Sequence, residues 1–134
     1  MLPVNKSRLT VKRKKMATLT EHFKIEEMMC PCCGVLGIKP EFLIFIEKVR
    51  RHYDAPMKIT SAFRCEKHND KVGGAKNSAH LSGLACDVAI TDSQTRLKLI
   101  RSAVACGVKG LGLHKSFLHL DITARPTGDV AWFY

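Results

Sequence analysis

The sequence predicts an α+β domain, a small antiparallel sheet with helices packed on one side. Three observations predict it. Phe42, Phe45, Ile46 and Val49 recur at the spacing of a single apolar helix face. The runs 57–62, 84–90, 110–114 and 117–123 are apolar and have the length of strands. A second helical stretch, with Leu97, Ile100 and Val104 as its expected buried face, lies between the second and third of those runs.

Taken in chain order, a helical turn is expected around Ile25 to Met29. The Cys/Gly knot Cys30-Pro31-Cys32-Cys33-Gly34 follows. Pro40 suits the first position of a helix, and Asp54-Ala55-Pro56 ends it. Met57 to Ala62 reads as a short strand. Residues 63–83 form a long polar segment rich in Gly, Asn, Ser and His, and loops of that length inside a domain are often functional. Leu84 to Ile90 reads as a second strand. Thr91 and Gln94 fit a capping box ahead of the second helix, and Gly107 stops it. Strands Gly110–His114 and Phe117–Thr123 are joined by Lys115-Ser116 as a hairpin turn. The tail Val130 to Tyr134 is expected to pack its aromatic rings onto the core.

The chain has 134 residues, about one domain. Apolar residues make up 46 % and charged residues 25 %, a composition that excludes a wholly disordered chain. No stretch has the apolar length of a membrane span, and no secretory signal is read at the basic start. The net charge of +10 is partly local. Residues 1–16 carry Lys6, Arg8, Lys12, Arg13, Lys14 and Lys15 and no acid. They read as a basic arm, either solvated and mobile or drawn to nucleic acid or an anionic wall. Met16 resembles a natural start, so residues 1–15 read as an extension or leader, and the domain is assigned to 17–134.

Two segments carry residues that zinc favours. His80 stands at a loop end and Asp87 seven residues on in a strand, with Gly83 letting the chain turn between them. In Phe117-Leu118-His119-Leu120-Asp121, strand alternation turns Leu118 and Leu120 to the core and puts Phe117, His119 and Asp121 on the opposite face. Two imidazoles and a carboxylate with an open fourth position is the pattern of a catalytic zinc. A carboxylate such as Asp87 in an apolar strand also needs a partner.

Ser61-Ala62-Phe63-Arg64, Ser78-x-His80-x-x-Gly83-x-Ala85-x-Asp87 and His119-x-Asp121 resemble the zinc D-alanyl-D-alanine carboxypeptidase family. Its fold is shared with vancomycin-resistance dipeptidases, phage endolysin peptidases and the hedgehog signalling domain. The phage-type branch is similar also in Cys30–Cys33, Arg64-Cys65-x-x-His68-Asn69 and Val72-Gly73-Gly74-Ala75-x-Asn77-Ser78. The resemblance implies a zinc peptidase acting on peptidoglycan peptides in phage lysis or entry, located in the host cytoplasm or the virion and reaching the cell wall after release. It implies His80, Asp87 and His119 as zinc ligands, and Arg64 as the holder of a substrate carboxylate. Ser78 would support the metal or substrate. Asp121 would either orient His119 or act as general base. Several branches carry a Glu three residues before the last histidine ligand, where this chain has Ser116.

Other readings stay open on the sequence alone. A non-catalytic zinc-bound virion or interaction domain would keep the same fold, and a zinc-stabilised nucleic-acid binder would use the basic arm. His68 can simply cap a turn with Asn69, His114 can line the site, and His22 and His52 read as surface residues. Cys30/Cys33 and Cys65/His68 each have a spacing that suits a second, structural zinc, with a local disulfide or free thiols as alternatives. Cys86 and Cys106 read as small buried hydrophobes.

Overall fold

A computed structural model describes residues 18–134. The basic arm at 1–16 lies outside the described residues. Among the described residues, the elements are α1 (Ile25–Met28), α2 (Pro40–Tyr53), β1 (Ile59–Ser61), α3 (Glu66–Lys71), β2 (Ala85–Ala89), α4 (Ser93–Ala105), β3 (Gly110–Leu113), β4 (Phe117–Asp121) and β5 (Val130–Phe133). This is an α+β fold. No helix among the described residues is long and apolar enough to cross a membrane.

Pro40 occupies the first turn of α2, where its missing N–H is not needed. Phe42, Phe45, Ile46 and Val49 are buried as the periodicity predicts. The helix ends at Asp54, in the left-handed region at φ 55°. On α4 the buried residues are Leu99, Ser102 and Ala103, whereas Leu97 and Val104 are exposed. The helix is therefore rotated from the expected face. Its cap is Asp92, whose carboxylate accepts from the Thr95 N–H at 2.8 Å, rather than a Thr91/Gln94 box. The loop expected over 63–83 contains α3, whose N-cap is the Cys65 thiol.

The five strands run β1-β2-β4-β3-β5. The first three pairings are antiparallel, as expected. The β3–β5 pairing is parallel, so the sheet is mixed. One face of the sheet carries Cys86, Val88, Leu111, Leu118 and Leu120. It forms the core with the apolar sides of α2 and α4. The other face carries Asp87, His119 and Asp121, as the alternation on β4 predicts. Of the tail aromatics, Trp132 and Tyr134 lie on this second face, and none enters the core. Trp132 lies 5.0 Å from the His119 ring, and Phe133 is exposed.

Far from that face, Glu47 on α2 ties down the segment before α1. Its carboxylate accepts from the His22 backbone N–H at 2.9 Å and pairs with the His22 ring. Burial pushes the Glu47 pKa up, but the bonds from His22 outweigh it and hold it below the ordinary value. Glu47→Ala is expected to cost about 1–3 kcal/mol of stability, read by urea unfolding, because the His22 donors lose their buried acceptor. The wild-type contribution is present above the ordinary glutamate pKa. It is lost as pH falls through the depressed folded value, so the variant and the wild type converge in acid.

Candidate functional site

The site is built on one row of residues across the sheet. Ser61, Asp87, His119, Gly112 and Trp132 are register partners from β1 to β5. In the next row Ala85, Asp121, Gly110 and Val130 face one another. Strand β3 reads Gly-Leu-Gly-Leu. Its leucines go to the core side, and its glycines clear space on the site side. A Cβ at Gly110 would overlap the Asp121 carboxylate, and one at Gly112 would meet the Trp132 and Tyr134 rings at 2.8 Å.

His80 arrives from the loop before β2. Gly83, at φ +73°, makes the turn that brings it back to Asp87. A Cβ there would run into the Gly37 carbonyl. Gly83→Ala is expected to cost roughly 2–4 kcal/mol in thermal or urea unfolding, combining positive-φ strain with backbone overlap. Ser78 accepts from the His80 backbone N–H at 3.2 Å and so shapes the same turn.

His80, Asp87 and His119 come together as the spacing predicts. Their ligand atoms lie within 4.8 Å of one another, and all three residues are buried. With the rings neutral, as metal ligands must be, the shorter hydrogen bonds assign the tautomers. His80 Nδ1 donates to the Ala62 carbonyl at 2.6 Å, so its Nε2 lone pair points at Asp87 Oδ1, 3.3 Å away. His119 Nε2 donates to Asp121 Oδ2 at 2.7 Å, so its Nδ1 lone pair meets the same Asp87 oxygen at 3.2 Å. Three acceptor atoms thus converge in a buried spot, an arrangement that repels itself unless a cation lies between them. A tetrahedral zinc with bonds of about 2.1 Å spaces its ligand atoms by about 3.4 Å. The two separations from Asp87 match that edge, so the donor set fits zinc.

In the metal-free protein a proton takes the cation's place, with His119 donating to Asp87 as well as to Asp121. Burial raises the Asp87 pKa, but His119 and His80 outweigh it and hold the carboxyl well below the usual carboxylate range. Burial pulls the His119 ring down, while Asp121 and Asp87 more than compensate and leave its pKa raised. Asp121 is fully buried. Its Oδ2 takes His119 Nε2 and Arg125 Nη2, and its Oδ1 takes Arg125 Nη1 at 3.0 Å and the Thr123 N–H at 3.1 Å. Burial alone would raise its pKa, and these bonds bring it down to about 2.

Arg64 is held from three sides. Nε donates to Ser61 Oγ at 3.0 Å, Nη1 to Asn69 Oδ1 at 3.3 Å and Nη2 to Asp87 Oδ2 at 3.4 Å. Arg64, Ser78 and the cluster line one cavity of about 590 Å³. His114, Phe117, Trp132 and Tyr134 form its aromatic side. The His114 ring stacks on Phe117 at 4.4 Å.

Of the cysteine group, Cys30, Cys33 and Cys65 also converge within 4.8 Å, in a separate place. The His68 ring stands outside that set. Its backbone N–H takes part instead, donating to Cys65 Sγ at 3.4 Å. Arg125 and Trp132 are site residues that the sequence does not announce. Trp132 reaches the site through long-range packing that leaves no local pattern, Arg125 folds back onto Asp121 four residues before it, and the Gly-Leu alternation in β3 is a readable sign of the cleared face.

A buried set of two imidazoles and one carboxylate, lining an open cavity on an α+β sheet, is a donor set that could hold a catalytic metal, and the family match makes the class metallopeptidase. The chain belongs to the peptidase M15 family, whose model, described as Peptidase M15, matches residues 21–121. Peptidases of this family are zinc-dependent. Among curated proteins none matches the chain.

Proposed function

We propose that the protein is a zinc peptidase that hydrolyses an amide bond in cell-wall peptides, as a phage lytic or virion-associated enzyme. The observation that carries this is the convergence of the His80, His119 and Asp87 acceptor atoms beside a peptide-sized cavity. His80, Asp87 and His119 would hold the zinc. When bound, zinc polarises the scissile carbonyl and makes water a usable nucleophile near neutral pH.

The chain's own groups do the rest. Arg64 presents its cavity-side N–H groups to a substrate carboxylate, while its other bonds keep the guanidinium fixed. Ser78 supports the His80 turn. Asp121 is a positioning residue. Both its oxygens are already engaged, which favours orientation of His119 over the general-base role. His114 is the lining imidazole outside the cluster. Its Nδ1 accepts from the Ser116 N–H at 3.1 Å, so the neutral ring keeps its proton on Nε2, free to donate to the substrate carbonyl or leaving nitrogen. Trp132 and Phe117 wall the cavity and keep water from one side of it.

The test is incubation of zinc-loaded protein with muropeptides from several wall types, with products read by mass spectrometry. New peptide ends at an amide bond are expected, and they should be absent with His80→Ala. The competing reading is a non-catalytic zinc-bound domain. It draws on the lining, where the carboxylates are those of Asp87 and Asp121, both already paired. Intact substrates in every digest, with zinc still bound, would move the assignment there.

A further inference from the structure

The three thiols of Cys30, Cys33 and Cys65 are not used by the peptidase site. Cys30 follows α1, and the turn after it folds back. Gly34 N–H donates to the Cys30 carbonyl at 2.8 Å, and Cys30 N–H donates to Val35 O at 2.9 Å. This knot sets Cys33 beside Cys30. Cys65 comes from the far loop, and its backbone N–H donates to Cys30 Sγ at 3.5 Å. The His68 N–H in turn donates to Cys65 Sγ at 3.4 Å. Sulfurs surrounded by N–H donors are sulfurs prepared to carry negative charge.

The spacing chooses between a bridge and an ion. Cys30 Sγ and Cys65 Sγ are 3.6 Å apart. A disulfide needs about 2.05 Å. A tetrahedral zinc with metal–sulfur bonds of about 2.3 Å spaces its sulfurs by about 3.8 Å. A disulfide would also leave a third thiol stranded beside the pair. Cys30 is fully buried while Cys33 is exposed, so the cluster opens to solvent on one side and an ion can enter.

We propose that Cys30, Cys33 and Cys65 bind a second, structural zinc ion that clamps the knot after α1 to the loop carrying Arg64. Cys32 and His68, close in the chain to these ligands, are the candidates for the fourth position. Each thiol releases its proton to solvent on binding, and no redox change is involved. The clamp has a direct consequence, because Cys65 follows Arg64 in the chain. Fixing Cys65 fixes the backbone from which the guanidinium reaches Asp87. A domain of this size gains much from one such staple.

The experiment uses the full chain, kept reduced, with cobalt as the spectroscopic probe and elemental analysis for zinc. His80→Ala removes a ligand of the peptidase cluster and leaves the thiols. It is expected to keep one zinc per chain and, with cobalt, to show the thiolate-to-metal charge-transfer band in full. Cys33→Ser in the wild-type background is expected to lose that band and one zinc. If Cys33→Ser does not fold, mercurial titration of the His80→Ala thiols, with released zinc read by a chromogenic chelator, serves instead. Zinc should leave as the cysteines are modified. A His80→Ala protein that holds no zinc, a cobalt spectrum without the thiolate band, or a native Cys30–Cys65 disulfide would each overturn the proposal. The thiolate band separates this site from the peptidase cluster, whose ligands contain no sulfur, so either assignment can fail alone.

Discussion

His119→Ala is expected to lower kcat/KM on a muropeptide by at least about a thousandfold, since the metal's share of transition-state stabilisation is several kcal/mol. Zinc retention at the cluster should fall in parallel. The reason lies in the register. Asp87 and His119 are direct partners across β2 and β4, and both are buried, so no other side chain can move into the gap. His80 and Asp87 alone leave a two-ligand site. Acid should reproduce the loss in the wild type. The carboxylates raise the His119 pKa in the metal-free protein, so protons compete with zinc already above the ordinary histidine range. Zinc affinity is therefore expected to weaken as pH falls through that region. Equilibrium dialysis against a zinc buffer series gives the affinity, and peptide release gives the rate. A His119→Ala protein that cleaves at the wild-type rate would remove the cluster from the mechanism.

Asp121→Asn is expected to cost about 10- to 100-fold in zinc affinity and activity together, the range for groups that orient metal ligands. The amide keeps the shape of the side chain but loses its charge. Its NH2 must then face either His119 Nε2 or an Arg125 nitrogen, both of which are donors. One contact is lost whichever way the amide turns, and Arg125 loses its charged partner. A role as general base predicts a different signature, with zinc affinity intact, a larger fall in kcat and a flattened acidic limb in the pH profile. Measuring affinity and pH profile on the same preparation separates the two. Stability carries a related signal. The Asp121 carboxylate, depressed to about 2 in the folded state, contributes above the ordinary aspartate pKa of about 3.9. Its contribution disappears as pH falls from there toward the folded value.

Much of the site is legible in the amino-acid sequence. On β4 the period of two puts His119 and Asp121 opposite Leu118 and Leu120, because a strand has no other way to place them. Gly83 is readable as the turn that returns His80 to Asp87. Helix α4 is less legible. Leu97, Leu99, Ile100 and Val104 offer two apolar faces, and packing against α2 decides that Leu99 and Ala103 go inside. Helix α3 has no apolar stripe at all, and its start depends on a cysteine thiol as cap. The parallel placement of β5 beside β3 leaves no local sign either, since either direction of the tail satisfies its own alternation.

The order of residues along the chain is enough to specify the class of fold, the donor types and the face of each strand on which they stand. These follow from backbone periodicity, which is local. Long-range packing sets the rest: His119 stands opposite Asp87, Trp132 roofs His119, and Cys65 reaches Cys30 across the domain. Those contacts join residues distant in the chain, and their partners are chosen by sheet register and helix packing rather than by any neighbouring residue.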